Sequence, residues 1–171
     1  MVRRETFGLT TASGATVFAE PDVAGGAEPE VLTADVDGQG AVVVLVSGSR
    51  DVQLFTFLDC QLQPVMNRDN EQYRFDRTGE NGDGVACADV DGDGAPELLG
   101  LKLSTAAGTL TDGDSVTVTR TVVELDGSRA TNGESDTVEL TLPADENALE
   151  AATTVTCGDL AISTDGISRT A

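Results

Sequence analysis

The sequence contains no histidine and no tryptophan. Without histidine there is no Ser-His-Asp or Cys-His pair, and both the commonest general base and the commonest zinc ligand are missing. Aromatic residues make up only 4% of the chain, so a core must be assembled from Val, Leu and Ala. Positive charge is scarce as well. Ten basic residues, of which only Lys102 is a lysine, face thirty acidic ones, for a net charge of -20. Such a field repels nucleic-acid phosphates and anionic lipid, which speaks against both as partners, and it attracts divalent cations. No apolar run approaches the roughly 18–20 residues of a membrane span. Residues 1–4 are positive, like the start of an export signal, but residues 5–15 are not the apolar stretch that should follow. If the protein is exported, its signal has been trimmed or lies outside this sequence.

What is present suits one domain. The 171 residues, 39% of them hydrophobic, are enough for a single medium-sized core. The three cysteines, Cys60, Cys87 and Cys157, fit no zinc spacing. One disulfide with one free thiol, or three buried thiols, are both open. Cys60–Cys87 closes the shorter loop and is the preferred pair.

The most informative stretch is Asp89-Val-Asp91-Gly-Asp93-Gly-Ala95-Pro-Glu97. Three aspartates at alternate positions of a tight loop turn their carboxylates to one side, and the glycines let the chain curl around an ion. Calcium takes six to eight oxygens at about 2.3–2.6 Å. The expected ligands are the side chains of Asp89, Asp91 and Asp93, the backbone carbonyl of Ala95 and the carboxylate of Glu97. An EF-hand is excluded, because its twelfth position, counted from Asp89, is Gly100 rather than Glu. The flanks, residues 84–89 and 98–103, are short apolar runs without helix caps. The loop therefore reads as strand, calcium loop, strand. The bland alternative is an acidic glycine-rich turn that binds nothing.

Residues 89–98 resemble the calcium loop of FG-GAP and VCBS-type repeats, the blades of integrin-like β-propellers. That pattern is Asp-x-Asp-x-Asp-Gly-x-x-Asp between the first two strands of a blade, here with Glu97 in the last place. The wider text, about residues 30–161, resembles secreted repeat proteins of actinobacteria. The resemblance implies a secreted or cell-surface protein in which calcium steadies the blades while other loops engage a protein or glycan ligand.

The same phrase occurs twice more, in decayed form. At residues 35–43, Gln39 replaces the third aspartate and Val43 replaces the final acid, but Gly38 and Gly40 remain. This site is expected to keep its turn and to hold calcium poorly. At Val155-Thr-Cys157-Gly-Asp159 the start matches Val85-Ala-Cys87-Ala-Asp89 in register, but Ala161 and Ser163 stand where ligands should be. The matching aspartates, 35, 89 and 159, lie 54 and 70 residues apart. Such periods, with four strands each, mean propeller blades or a related array. The expected fold is therefore all-β. It is a single domain over residues 1–171, with antiparallel four-stranded sheets stacked as propeller-like blades. The units span about 30–84 and 85–152, and 153–171 begins a third. Two units and a partial third are fewer than a closed propeller needs. A longer propeller of which this is a fragment, a pair of chains, or a third sheet combining the C-terminal strand with residues 6–19 would each complete it.

Within the units, strands are expected at 15–19, 41–47, 52–58, 85–89, 97–103, 115–125 and 137–142, with weaker edge pieces at 63–68 and 73–76. Asn132-Gly133 reads as a turn, and residues 143–152 as a loop or one helical turn. Residues 20–30, 77–84 and 104–113 read as loops.

The expected function is a non-catalytic, extracytoplasmic, calcium-stabilised binding or scaffold module. The alternative is an accessory repeat domain of a secreted hydrolase or carbohydrate-active enzyme. A carboxylate pair could serve a glycosidase or a metal-dependent hydrolase, but the acids that cluster are already claimed by the ion. Ser47 and Ser49 have no histidine to activate them. The plainest reading is an acidic β-domain whose charge serves only solvation.

Overall fold

The computed structural model describes residues 6–22, 28–78, 83–106 and 109–168, and these form antiparallel sheets, none closed into a barrel. Strands β1 (Phe7–Thr10) and β2 (Thr16–Ala19) make a hairpin that is a sheet of its own. Strands β3 (Glu30–Asp35), β4 (Val42–Ser47), β5 (Asp51–Leu58) and β6 (Gln61–Pro64) follow as a meander. Strand β7 (Arg74–Asp76) returns to the same edge of β5 as β6, further along the strand. A second meander of four strands comes next: β8 (Asp83–Ala88), β9 (Glu97–Ser104), β10 (Ser115–Asp126) and β11 (Arg129–Thr141). Helix α1 (Glu146–Ala152) leads to the short hairpin β12 (Thr156–Cys157) and β13 (Leu160–Ala161). One turn of helix, α2 (Ile162–Asp165), then delivers β14 (Ile167–Ser168) to the free edge of β3.

Alternation along the strands builds a layered core. Successive side chains of a strand point to opposite faces. Leu32, Ala34, Val43, Leu45, Val52 and Leu54 of the first sheet meet Val85, Cys87, Leu98 and Val123 of the second in one cluster. The opposite face of the first sheet carries Val44, Val46 and Phe55, and the β1–β2 hairpin covers it with Phe7 and Ala19. The opposite face of the second sheet carries Leu99, Leu101, Val116 and Val118, against which Leu149 and Ala152 of α1 pack. The order of layers is hairpin, sheet, sheet, helix. Two details show how tightly these layers meet. Gly100 of β9 lies under the Phe75 ring, which an added Cβ would approach to 3.4 Å. Buried Gln53 spends its amide on the chain just after β2, accepting from the Asp22 N–H at 3.2 Å and donating to the Asp22 carbonyl at 2.7 Å.

Several expectations change. The second unit has four strands, but the first sheet has six, because β7 and β14 join the meander. The C-terminal strand does not combine with residues 6–19. Ile167 pairs with Val31 and Ser168 with Glu30. Asn132-Gly133 is not a turn but lies inside β11. There Gly133 and Glu134 stand opposite the single residue Val122, a β-bulge in which an added Cβ at Gly133 would come within 2.8 Å of Glu124 Oε1. Residues 146–152 form about two turns of helix rather than a loop or one turn. Ala and Glu are good helix formers, and the second sheet offers an apolar face to dock on. The expected loops at 20–30, 77–84 and 104–113, the charged start at 1–4 and the end of the third unit fall partly outside the described residues.

The cysteine expectation is also corrected. Cys87 pairs with Cys157, not with Cys60. Cys60 is exposed in the two-residue turn Asp59-Cys60 between β5 and β6, where both residues have positive φ. Cys87 instead lies beside β12. Val85 and Val155 form a parallel bridge, and the Val85 N–H donates to the Thr154 carbonyl at 2.9 Å. Strand β8 and the start of β12 therefore sit side by side, and the sulfurs of Cys87 and Cys157 meet with Cα atoms 4.3 Å apart.

A bond joining residues 70 apart removes much freedom from the unfolded chain. Cys157→Ser is expected to lower stability by about 2–4 kcal/mol, read by urea unfolding, whereas Cys60→Ser should leave the midpoint unchanged. A thiol assay on the unreduced, unfolded protein should count one thiol per chain. Three thiols, or equal effects of the two substitutions, would refute the pairing.

Candidate metal centre

The tip of the β8–β9 hairpin holds the acidic loop. Ala88 and Glu97 are the last paired residues of the two strands, so the eight residues between them form the turn. Apolar alternation in β8 and β9 anchors the base: Val85, Cys87, Leu98 and Leu99 are buried. The loop itself must bend tightly, and it does so at Gly92 and Gly94, with φ of +83° and +90°. These are conformations that L side chains rarely adopt.

The curl brings four acids together. Asp89, Asp91, Asp93 and Glu97 each present a carboxylate oxygen within 4.8 Å of the others. The three aspartates are exposed and Glu97 is half-buried. The backbone holds each carboxylate in place. The Gly92 and Gly94 N–H groups donate to the two oxygens of Asp89, at 2.7 and 2.9 Å. The Asp93 N–H donates to Asp91 at 3.0 Å, and the Ala95 N–H to Asp93 at 2.8 Å. From the far strand, Glu97 accepts the Val90 N–H at 2.9 Å. Ala95, the expected carbonyl donor, is half-buried in the same turn.

Four negative groups at this spacing repel one another, each pair by roughly 1 kcal/mol in a water-like dielectric at about 4 Å. The N–H donors offset part of that repulsion. A cation would remove it. The group could hold a metal ion, and its chemistry restricts which kind. With oxygen donors only, and no imidazole or thiolate among them, it suits hard cations rather than zinc or copper.

The decayed loop has the same shape. Gly38 and Gly40 have φ of +67° and +105°, matching Gly92 and Gly94. The Gly40 N–H donates to both oxygens of Asp35 at 3.1 Å, where the Gly94 N–H donates to one oxygen of Asp89. The Gln39 N–H donates to Asp37 at 2.8 Å, as the Asp93 N–H does to Asp91. Donation from the Gln39 and Ala41 N–H groups holds the Asp37 carboxyl below its ordinary value. Val43 pairs with Ala34 as Glu97 pairs with Ala88, but it is buried in the core between the sheets. Within the third unit, Gly158-Asp159 is only a two-residue turn between β12 and β13, which leaves no loop to hold an ion.

The disulfide beside the acidic loop was not singled out in the sequence, although its signal was there. Cys87 and Cys157 each stand two residues before an aspartate of the repeated phrase. No family model, curated protein or solved structure matches the chain.

An added Cβ at Gly94 would meet nothing within 4 Å, so any cost of substitution there is backbone strain alone. Gly94→Ala is expected to destabilise the protein by about 1–2 kcal/mol, measured by urea unfolding in chelator. Equal stability would show that the loop does not need its left-handed turn.

Proposed function

We propose that the chain is a non-catalytic, extracytoplasmic binding or scaffold module whose sheets act as propeller-like blades steadied by calcium. The observation that carries this reading is the oxygen-only cluster at the tip of β8–β9, with its four carboxylates within 4.8 Å. Calcium accepts such a set readily, completed by the Ala95 carbonyl and water, whereas magnesium demands a near-ideal octahedron and sheds its water reluctantly. The Cys87–Cys157 bond supports the location, since disulfides persist mainly in oxidising compartments. The matching of the two loops in shape supports the repeat. Extracellular modules commonly bind calcium at roughly 10⁻⁴–10⁻³ M, so a site of this kind is filled outside cells and largely empty in cytosol.

At about 5 mM calcium, such an affinity adds on the order of 1–2 kcal/mol. A domain of this size gains about 2–4 °C per kcal/mol. Calorimetry should therefore show the melting temperature rising by several degrees with calcium and falling back with EGTA. Asp91→Ala should abolish the response, while Asp37→Ala in the decayed loop should preserve it. Identical melting curves in calcium and in chelator would sink the proposal.

A further inference from the structure

An open groove of about 320 Å³ lies between the turn that joins β6 to β7 and the start of β11. Its size falls at the lower end of small-molecule sites, which run from roughly 300 to 1,000 Å³. It is remote in sequence from the acidic loop. Asn67, Arg68, Asp69, Tyr73, Thr131 and Asn132 form most of its lining.

The walls are fixed from behind. Asn67 Oδ1 accepts the N–H groups of Asp69 and Glu71 at 2.9 and 3.0 Å, which shapes the turn. Arg129 reaches across from β11 to the Asn67 carbonyl at 3.3 Å and to Asn70 Oδ1 at 2.8 Å. The Tyr73 hydroxyl donates to Asn132 Oδ1 at 2.6 Å, while its ring packs edge-on against Phe75 with centroids 5.2 Å apart. Burial pushes the Tyr73 hydroxyl pKa up to about 12. The groove thus joins the two sheets and is held in shape before any ligand arrives.

The groups left over define what would fit. With Asn132 Oδ1 taken by Tyr73, its Nδ2 remains as a donor. The Arg68 guanidinium and the Asp69 carboxylate have no hydrogen bond or ion pair among the described residues, and both are exposed. Arg74 also lines the groove but is paired with Asp51 at 2.6 Å, so one free cation and one free anion share the wall. An anionic ligand would meet Asp69 inside a chain of net charge -20. A cationic one would meet Arg68. An apolar one would bury all three polar groups without partners, at about 1–3 kcal/mol each. Neighbouring hydroxyls satisfy the whole set, because each can donate to Asp69 and accept from Arg68 or Asn132.

We propose that this groove binds a neutral saccharide through vicinal hydroxyls that span Arg68 and Asp69. The proposal rests on the binding-module reading and deepens it by naming a ligand class, but it does not need the calcium site.

Tyr73 is the sole tyrosine of a chain without tryptophan, so tyrosine emission reports on the groove directly. The protein is titrated with glucose, galactose, mannose and N-acetylglucosamine, and saturation-transfer NMR on the same samples detects binding that leaves emission unchanged. Each titration is run in EGTA and again in calcium, so groove binding is read whether or not calcium acts on the acidic loop. At least one sugar should bind saturably. Arg68→Ala and Asp69→Ala should each weaken it by about tenfold or more, as expected for losing hydrogen bonds to a charged group, without changing the melting temperature. Absence of saturable binding in both measurements overturns the proposal. So does binding of glucuronate or acetate with none of the neutral sugars, and so does binding undiminished in both variants.

Discussion

The close parallel contact of β8 with the chain leaving α1 positions most of what surrounds it. At Gly84 the approach is so tight that an added Cβ would lie 2.3 Å from the Ala152 carbonyl oxygen. One residue on, Val85 is fully buried and bonded to Thr154, and two further on the Cys87–Cys157 bond closes the contact. From this seam the chain runs through β13 and α2 to β14, which zips onto β3 of the other sheet. The short C-terminal segment is thus fastened to the first strand of both meanders. Its own strands are two residues long and could not stand alone. They are held by the sheets, and in return they tie those sheets together.

The acidic loop benefits from this arrangement. A hairpin tip carrying four carboxylates resists ordering, because the charges are driven apart. Here the base of the hairpin is pinned on three sides: by β10 in the sheet, by the core between the sheets, and by the disulfide two residues before Asp89. Little chain remains free to move, so the loop is shaped by its base, its glycines and its backbone N–H groups.

Legibility followed the range of the interactions. The strand–loop–strand around Asp89 was readable because every determinant is local: alternating acids, glycines at the bends, short apolar flanks. The decayed loop was readable for the same reason, and Gly38 and Gly40 do keep its turn. The disulfide was misjudged because closing the shorter loop is a property of the unfolded chain. The pairing is decided by which strands lie side by side, and only the repeated phrase at Cys87 and Cys157 carried that information. Asn132-Gly133 misled because a glycine at a bulge in a long ladder, packed under Glu124, has the same local signature as one that makes a turn. The site of β14 could not be read at all. Two residues, one of them the exposed Ile167, contain no pattern that names a partner.

The comparison of the two loops also bounds what an ion can contribute. The loop at Asp35 lacks two of the acids, yet it keeps the left-handed glycines and the same hydrogen bonds to its first aspartate. Its turn is therefore made by backbone geometry and by N–H donation to carboxylate, not by a metal. Val43 occupies the place that Glu97 holds in the other hairpin. Where the intact loop keeps a half-buried glutamate, the decayed one adds an apolar side chain to the inter-sheet core. At matching places of the two hairpins, one puts an apolar side chain into the core and the other puts a carboxylate beside three aspartates. A cation held at Asp89 would act on a turn that already exists. Its effect would be to relieve repulsion among four carboxylates, a local gain laid over a fold that the core and the disulfide already hold.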